Sequence, residues 1–167
     1  DALTAATITG NVEDTIANLA ASDAAAAIAA AGTVSISDET TETATAAEFN
    51  ALVANGVSAA ELVNVDISDT AANIATLSAA SWTVISTTDA SAASDASTSN
   101  MITVTDNGSL TGLTVAQADA IYDADSGTTN GSVYGNYTIT DTAENVAGAA
   151  SALINSAQSV SVTTAAT

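Results

Sequence analysis

The chain has 167 residues, enough for one domain with a core, and carries no Lys, Arg, His, Cys or Pro against 19 Asp and Glu, a formal charge of −19. Without a cationic side chain it has nothing with which to neutralise phosphates, so nucleic-acid binding is excluded as a class, and an anionic membrane surface repels it. Zinc, haem and iron–sulfur sites lose their usual ligands, Ser–His and Cys–His nucleophile systems cannot be built, and no disulfide can report the redox compartment.

In chain order, short runs alternate apolar and polar residues with the period of a strand buried on one face. They are "ATIT" (Ala6–Thr9), "VSIS" (Val34–Ser37), "VDIS" (Val65–Ser68), a less regular "TVIS" (Thr83–Ser86), "ITVT" (Ile102–Thr105), "YTIT" (Tyr137–Thr140) and "VSVT" (Val160–Thr163). An Asp commonly follows, at Asp38, Asp69, Asp89, Asp106 and Asp141. The intervening segments are alanine-rich with larger apolar residues at helical spacing: Leu19 and Ile28; Phe49, Leu52 and Val53; Ile74 and Leu77; Val115 and Ile121; Val146, Leu153 and Ile154. Thr45 with Glu48, Ser58 with Glu61, and Thr114 with Gln117 have the spacing of a capping box, in which a hydroxyl satisfies a free first-turn N–H and the longer chain reaches back.

One strand-to-helix join is written three times: "VEDTIANL" (Val12–Leu19), "VDISDTAANI" (Val65–Ile74) and "YTITDTAENV" (Tyr137–Val146). In the last, Asp141 shares the parity of Tyr137 and Ile139, so it turns to the helix side, where an Asp N-cap suits the positive end of the helix dipole and Glu144 completes the box. A longer unit is traceable too, since "TAAEFNAL" before the second join parallels "TVAQADAI" before the third. The predicted unit is strand–helix–strand–helix.

These stretches, with "LTVAQADAI" and the run from Tyr137 to Thr167, resemble the Ala/Thr/Asp-rich repeats of very large surface proteins of cyanobacteria and other aquatic bacteria, adhesin-like, S-layer-like or hemolysin-like. The resemblance covers about two thirds of the chain and is closest from Leu113 to Thr167. It implies a non-catalytic, extracellular, structural or adhesive role: a filament, S-layer or adhesin-stalk element at the cell surface. Its partners would be neighbouring repeats or copies of itself. The hemolysin-type calcium repeat GGxGxDxUx is absent, so that chemistry is not carried over.

Parallel strands joined by helices bury both only by stacking on neighbours. The expected fold is therefore an α/β solenoid, one repeat array over 1–167, with parallel strands on one side and short Ala-rich helices on the other; a mostly-β solenoid is the alternative. The inward stack would be Ile8, Ile36, Ile67, Val104, Ile139 and Val162, with Val34, Val65, Ile102, Tyr137 and Val160 as a second column. An irregular loop is expected around 89–100, "DASAASDASTSN" from Asp89. The positive mean hydropathy of +0.33 reflects alanine. The longest apolar run, Ala24–Ala31, falls far short of the roughly 20 residues of a membrane-spanning helix, so membrane insertion is not expected. The chain opens and stops inside the pattern, as a piece of a longer protein would.

Candidate sites are few. Asp and Asn oxygens suit calcium, and the densest local group is "DADSGTTN", with Asp123, Asp125 and Asn130; Ser126 stands where an EF-hand loop has an acidic or amide residue, and a polar turn is the plainer reading. Calcium is the one cofactor these residues suit, and a binding module for calcium, glycan or ice is the alternative function. Asn18, Asn73 and Asn145, each four residues after its Asp, could form an asparagine ladder. The Thr–x–Thr faces of the strands resemble ice-binding arrays, although Thr is also simply a good strand residue. A carboxylate pair could in principle hydrolyse glycosides, but a chain with one Trp and three Tyr has few aromatic platforms for sugar. With no Lys or Arg, the denatured chain is expected to withstand trypsin; discrete tryptic fragments on a gel would contradict the sequence itself.

Overall fold

The structure, a computed structural model, describes residues 10–37, 42–63, 65–91, 102–125 and 136–163, with the side chains of 88–91 and 122–125 outside that description. The elements run β1 (Asn11–Asp14), α1 (Ile16–Leu19), α2 (Ala25–Ala30), β2 (Thr33–Ile36), β3 (Glu42–Ala44), α3 (Ala46–Asn55), β4 (Val65–Asp69), α4 (Ala71–Ile74), α5 (Ala79–Ser91), β5 (Ile102–Val104), β6 (Leu110–Leu113), α6 (Val115–Asp125), β7 (Tyr137–Thr142), α7 (Ala143–Gly148), α8 (Ser151–Ser156) and β8 (Ser159–Thr163). Every strand pairing among them is parallel, in three sheets ordered β1-β2, β3-β4-β5 and β6-β7-β8. Sequence-adjacent strands are neighbours in each sheet, and helices make the crossovers that parallel pairing requires.

The repeating unit is longer than the sequence pattern implies. A module of strand, two helices and strand occurs three times, as β1–α1–α2–β2, β4–α4–α5–β5 and β7–α7–α8–β8; its helices have 4–6 residues except α5, which has 13. The second and third copies are each preceded by a strand and a single helix, β3–α3 and β6–α6. Both of these single helices open with the predicted capping boxes. In α3 the Glu48 N–H donates to Thr45 Oγ1 at 3.2 Å and the Thr45 N–H to Glu48 Oε2 at 2.9 Å. In α6 the Gln117 N–H donates to Thr114 Oγ1 at 3.2 Å and the Thr114 N–H to Gln117 Oε1 at 2.9 Å. Gly56, at φ +94°, ends α3 in the left-handed conformation that a residue with a Cβ rarely adopts.

Several expectations are corrected. "TVIS" (Thr83–Ser86) is not a strand but the middle of α5, and Asp89 lies on that helix. Its start was encoded at Ser78, whose Oγ accepts the Ser81 N–H at 3.0 Å, and Trp82 and Ile85 are buried one turn apart. Of the expected loop at 89–100, residues 89–91 are helical and the rest lies outside the described residues. Ser58–Glu61 opens a turn rather than a helix, though the Ser58 N–H does donate to Glu61 Oε2 at 2.8 Å. Glu61 Oε1 instead takes the Val34 N–H of β2 at 3.1 Å. "ATIT" (Ala6–Thr9), with Ile8, falls outside the described residues.

The predicted columns keep their face but shift by two residues. Ile67 pairs with Ile102 and Asp69 with Val104; Ile139 pairs with Val160 and Asp141 with Val162. Side chains alternate with period 2, so a two-residue slip leaves each apolar residue on its side while moving it one row along. The core is a single cluster that runs through all three modules, from Ile16 and Leu19 through Phe49, Leu52, Ile67, Ile74, Trp82 and Ile85 to Leu110, Tyr137, Ile139 and Leu153. Ala44, Ala46, Ala71, Ala118 and Ala120 are buried within it, letting short helices lie close to the sheets.

Candidate functional site

The recurrent join folds the same way at each of its three occurrences. Thr15, Thr70 and Thr142 are the N-caps of α1, α4 and α7; each accepts, on its side-chain oxygen, the N–H of Asn18, Asn73 or Asn145 at 3.3 Å. This corrects the assignment of the preceding Asp as N-cap and removes Glu144 from the box. The Asp sits one residue earlier and does two jobs. Its Oδ1 takes the N–H of the following Thr, at 2.8 Å in Asp14, 2.8 Å in Asp69 and 2.7 Å in Asp141. The same oxygen accepts from the Asn side chain four residues on, at 2.6, 2.7 and 2.8 Å. The three Asn residues therefore serve their own carboxylates; they do not form a ladder to strand ends.

The second oxygen crosses to the neighbouring strand's helix. Asp69 Oδ2 accepts the Ala46 N–H at 3.1 Å, and Asp141 Oδ2 the Val115 N–H at 2.8 Å. Each donor is the first residue of a helix, whose N–H has no partner inside that helix. Asp106 completes the pattern after β5: its Oδ1 accepts the Ala71 N–H at 3.1 Å and the Gly108 N–H at 3.1 Å. A Cβ on Gly108 would lie 2.8 Å from that of Ala71, so the close approach requires glycine. Parallel pairing brings the ends of β4, β5 and β7 beside the start of the preceding strand's helix, so an Asp there clasps one strand–helix unit to the next. Asp38, two residues after β2, lies outside the described residues.

Side-chain amides add further links. Asn55 Nδ2 donates to the carbonyls of Leu19 at 2.8 Å and Ala21 at 2.9 Å. Asn50 Oδ1 accepts the Ser78 N–H at 2.8 Å and the hydroxyl of the fully buried Ser81 at 2.7 Å, while its Nδ2 donates to the Thr76 carbonyl at 3.1 Å. Tyr137 is buried, and its hydroxyl donates to the Leu153 carbonyl at 2.9 Å, tying β7 to α8.

The clasps hold their carboxylates in the charged form. Asn18 and the Thr15 N–H keep Asp14 below the usual Asp value. For Asp69 burial pushes upward, but Asn73 and the N–H groups of Thr70 and Ala46 outweigh it and the net shift is downward. The Ala71 and Gly108 N–H groups lower Asp106 against a small opposing push from the Asp69 charge, and the Val115 N–H, Asn145 and the Thr142 N–H lower Asp141. Burial opposes the change at Glu61 as well, and the hydrogen bonds from Ser58 and Val34 prevail.

Replacing Asp69 by Ala strips three donors of their acceptor at once. Cap removal and the loss of charge-assisted hydrogen bonds on a half-buried group together predict a cost of about 2 kcal/mol, a melting temperature lower by roughly 4–8 °C. Asp119→Ala, on the exposed face of α6, should leave the melt unchanged or slightly higher. Equal melts for the two variants, measured by circular dichroism, would mean the clasp carries no stability.

The candidate calcium residues are not brought into a described site. The backbone of α6 carries Asp123 and Asp125 to its C-terminal end, where a polar turn was expected; their side chains, and all of Asn130, lie outside the described residues. Among the described residues, no three His, Cys, Asp or Glu side chains gather as a metal would need. A cleft of about 370 Å³ lies between α5 and α6, lined by Trp82, Thr83, Thr87 and Gln117 among others, with hydroxyl, amide and indole groups and no titratable one. The outward strand faces pair Ser68 with Thr103 and Thr140 with Ser161, so Thr–x–Thr does not continue from strand to strand as a flat array would need. No described helix is long and apolar enough to cross a membrane. Compared with family profiles, curated proteins and solved structures, the chain has no significant match.

Interactions between charged side chains in this chain are all repulsive. The chain has no cationic side chain, so added salt has repulsions to screen and no ion pair between side chains to weaken. Raising NaCl from about 10 mM to about 1 M shortens the screening length from roughly 30 Å to 3 Å and should raise the melting temperature by on the order of 5 °C. Magnesium and calcium should act alike at equal concentration. A flat salt response would show that charge does not govern stability, and an excess for calcium alone would point to coordination at Asp123, Asp125 and Asn130.

Proposed function

We propose that this chain is a non-catalytic structural segment of a bacterial extracellular surface protein, a stalk, filament or layer element built as an α/β solenoid. The observation that carries the reading is the clasp at Asp69, Asp106 and Asp141, in which a carboxylate from one strand end satisfies the first helical N–H of the rung before it. Such a device serves stacking. It recurs at three of the described strand ends and engages its carboxylates in structural hydrogen bonds. The continuous core through the three modules supports the same reading, because each module buries its apolar face only against the next. The extracellular setting rests on the sequence resemblance, and it suits a chain without sites for trypsin-like proteases.

An antibody raised against this chain tests the setting. On intact cells of the source bacterium it should label the surface, and electron micrographs should show the label along filaments or a surface layer. Labelling that appears only after the cells are permeabilised would overturn the reading.

A further inference from the structure

The three modules differ in what lies beyond them. The middle one is followed by β6, which lies against α4, and by α6, which packs on α5. There Ala71 and Ile74 of α4, Trp82 and Ile85 of α5, and Ile102 of β5 are all buried, and Val104 is only 6% exposed. In the last module no residue of α7 is buried, α8 buries Leu153 alone, and Val162 is 55% exposed. Yet the two valines are counterparts: Val104 pairs with Asp69 as Val162 pairs with Asp141. The same structural position is thus buried in one copy and a solvent-facing apolar residue in the other.

A second observation is independent of that comparison. All 19 carboxylates lie within residues 1–144, and residues 145–167 carry no charged side chain. An exposed edge strand is normally guarded by charge, proline or a bulge. β8 has none of these: it reads Ser-Val-Ser-Val-Thr and pairs with β7 in unbroken register over five residues.

We infer that the α7–α8–β8 end is a docking face for a further unit of the same repeat, a strand followed by a Thr-x-x-Glu/Gln-capped helix of the β6–α6 kind. The inference rests on the reading of the chain as a stacked array, and it specifies the partner of that array's exposed end. The docking mode follows β6–α6 on α4–α5: helix packs on helix, and the entering strand lies against the short helix. An acidic partner meets little opposing charge there, because Glu144 at the start of α7 is the only carboxylate in α7, α8 and β8. Register fixes how the unit would join. Since Val162 matches Val104, Thr163 matches Thr105, and a segment that begins at Asp106 continues in frame.

The experiment extends the chain, as residues 1–163 followed directly by a second copy of 106–163, and places a single thiol by Val162→Cys in a protein that has no other cysteine. In the unextended 167-residue chain the thiol should react rapidly with a maleimide, because the position is open. In the extended chain the reaction should slow by roughly 100-fold. Val104→Cys in the unextended chain supplies the reference rate for a covered position. Circular dichroism should show the appended copy folded and melting together with the rest. Fast labelling in the extended chain, or an appended copy that stays unfolded on a folded base, overturns the inference. Slow labelling in the unextended chain that speeds up on dilution overturns it too, assigning the face to a second copy of the chain. None of these outcomes bears on cell-surface location, which the antibody experiment decides separately.

Discussion

Phe49→Ala should lower the stability of this chain by about 3–5 kcal/mol and its melting temperature by roughly 10 °C or more. Phe49 is the only phenylalanine, it is fully buried, and it lies on α3, the helix that packs against α1 and α2 on one side and α4 and α5 on the other. Among the fully buried side chains of the described residues only Tyr137 is larger, so truncation at Phe49 leaves one of the largest voids this core can hold. For a domain whose total stability is about 5–15 kcal/mol, that is a fifth or more. Phe49→Leu, which keeps most of the volume, should cost less than about 1.5 kcal/mol. Urea titrations of both variants followed by far-ultraviolet circular dichroism measure the difference. Near-equal midpoints for Phe49→Ala and the unsubstituted chain would show that the modules are held by their polar clasps and not by this core.

The sequence was most legible where a local rule and the tertiary fold demand the same residue. In Val65–Asp69 and Tyr137–Thr142, alternation marks strands that bury one face, and the structure buries Val65, Ile67, Tyr137 and Ile139 accordingly. The capping boxes at Thr45 and Thr114 are complete within four residues, so nothing distant could override them. Legibility failed where the signal is short or the decisive partner is remote. β3 is three residues, Glu-Thr-Ala, with only Ala44 buried, too little for a period. In β6 a bulge at Gly112, φ +72°, puts the buried residues Leu110 and Leu113 three apart and hides the alternation. "TVIS" has strand composition, but Trp82 and Ile85 pack at helical spacing and the cap at Ser78 precedes them. The candidate site was half readable. The i, i+4 spacing of Asp69 with Asn73 and of Asp141 with Asn145 is visible in the sequence, as is the place of each Asp beside a helix start, but not that the amide bonds the carboxylate or that the following Thr is the cap. The cross-rung bonds to Ala46 and Val115 were not, because which N–H lies beside a given Asp depends on a parallel pairing with a strand some twenty-five residues away.

Acid should unfold the chain, although lowering the pH also removes its charge. Two effects oppose each other. The chain's nineteen carboxylates repel one another, and protonation relieves that repulsion, which favours the folded state. Against it, Asp14, Glu61, Asp69, Asp106 and Asp141 all have folded values below the ordinary ones of 3.8 for Asp and 4.5 for Glu. A depressed group binds its proton more readily in the unfolded chain. Its contribution is therefore complete above the ordinary value and is lost as the pH falls through the folded one. Repulsion is diffuse and already weakened by salt, whereas each clasp is a fixed geometry in which a protonated oxygen no longer accepts from two or three donors at once. The clasps should win. At about 0.15 M NaCl, urea midpoints should be flat or slightly rising between about pH 7 and pH 5 and then drop steeply below about pH 4. Asp69→Asn removes one titrating clasp, so it should lower the neutral-pH midpoint and make the acid limb shallower, its curve converging on that of the unsubstituted chain in acid. A midpoint that climbs continuously into acid would mean that relief of repulsion dominates and that the aspartates at the strand ends are worth little to the stack. If Asp69→Asn instead leaves a parallel curve, offset by the same amount at every pH, the residue contributes through shape and hydrogen-bond count and not through its charge.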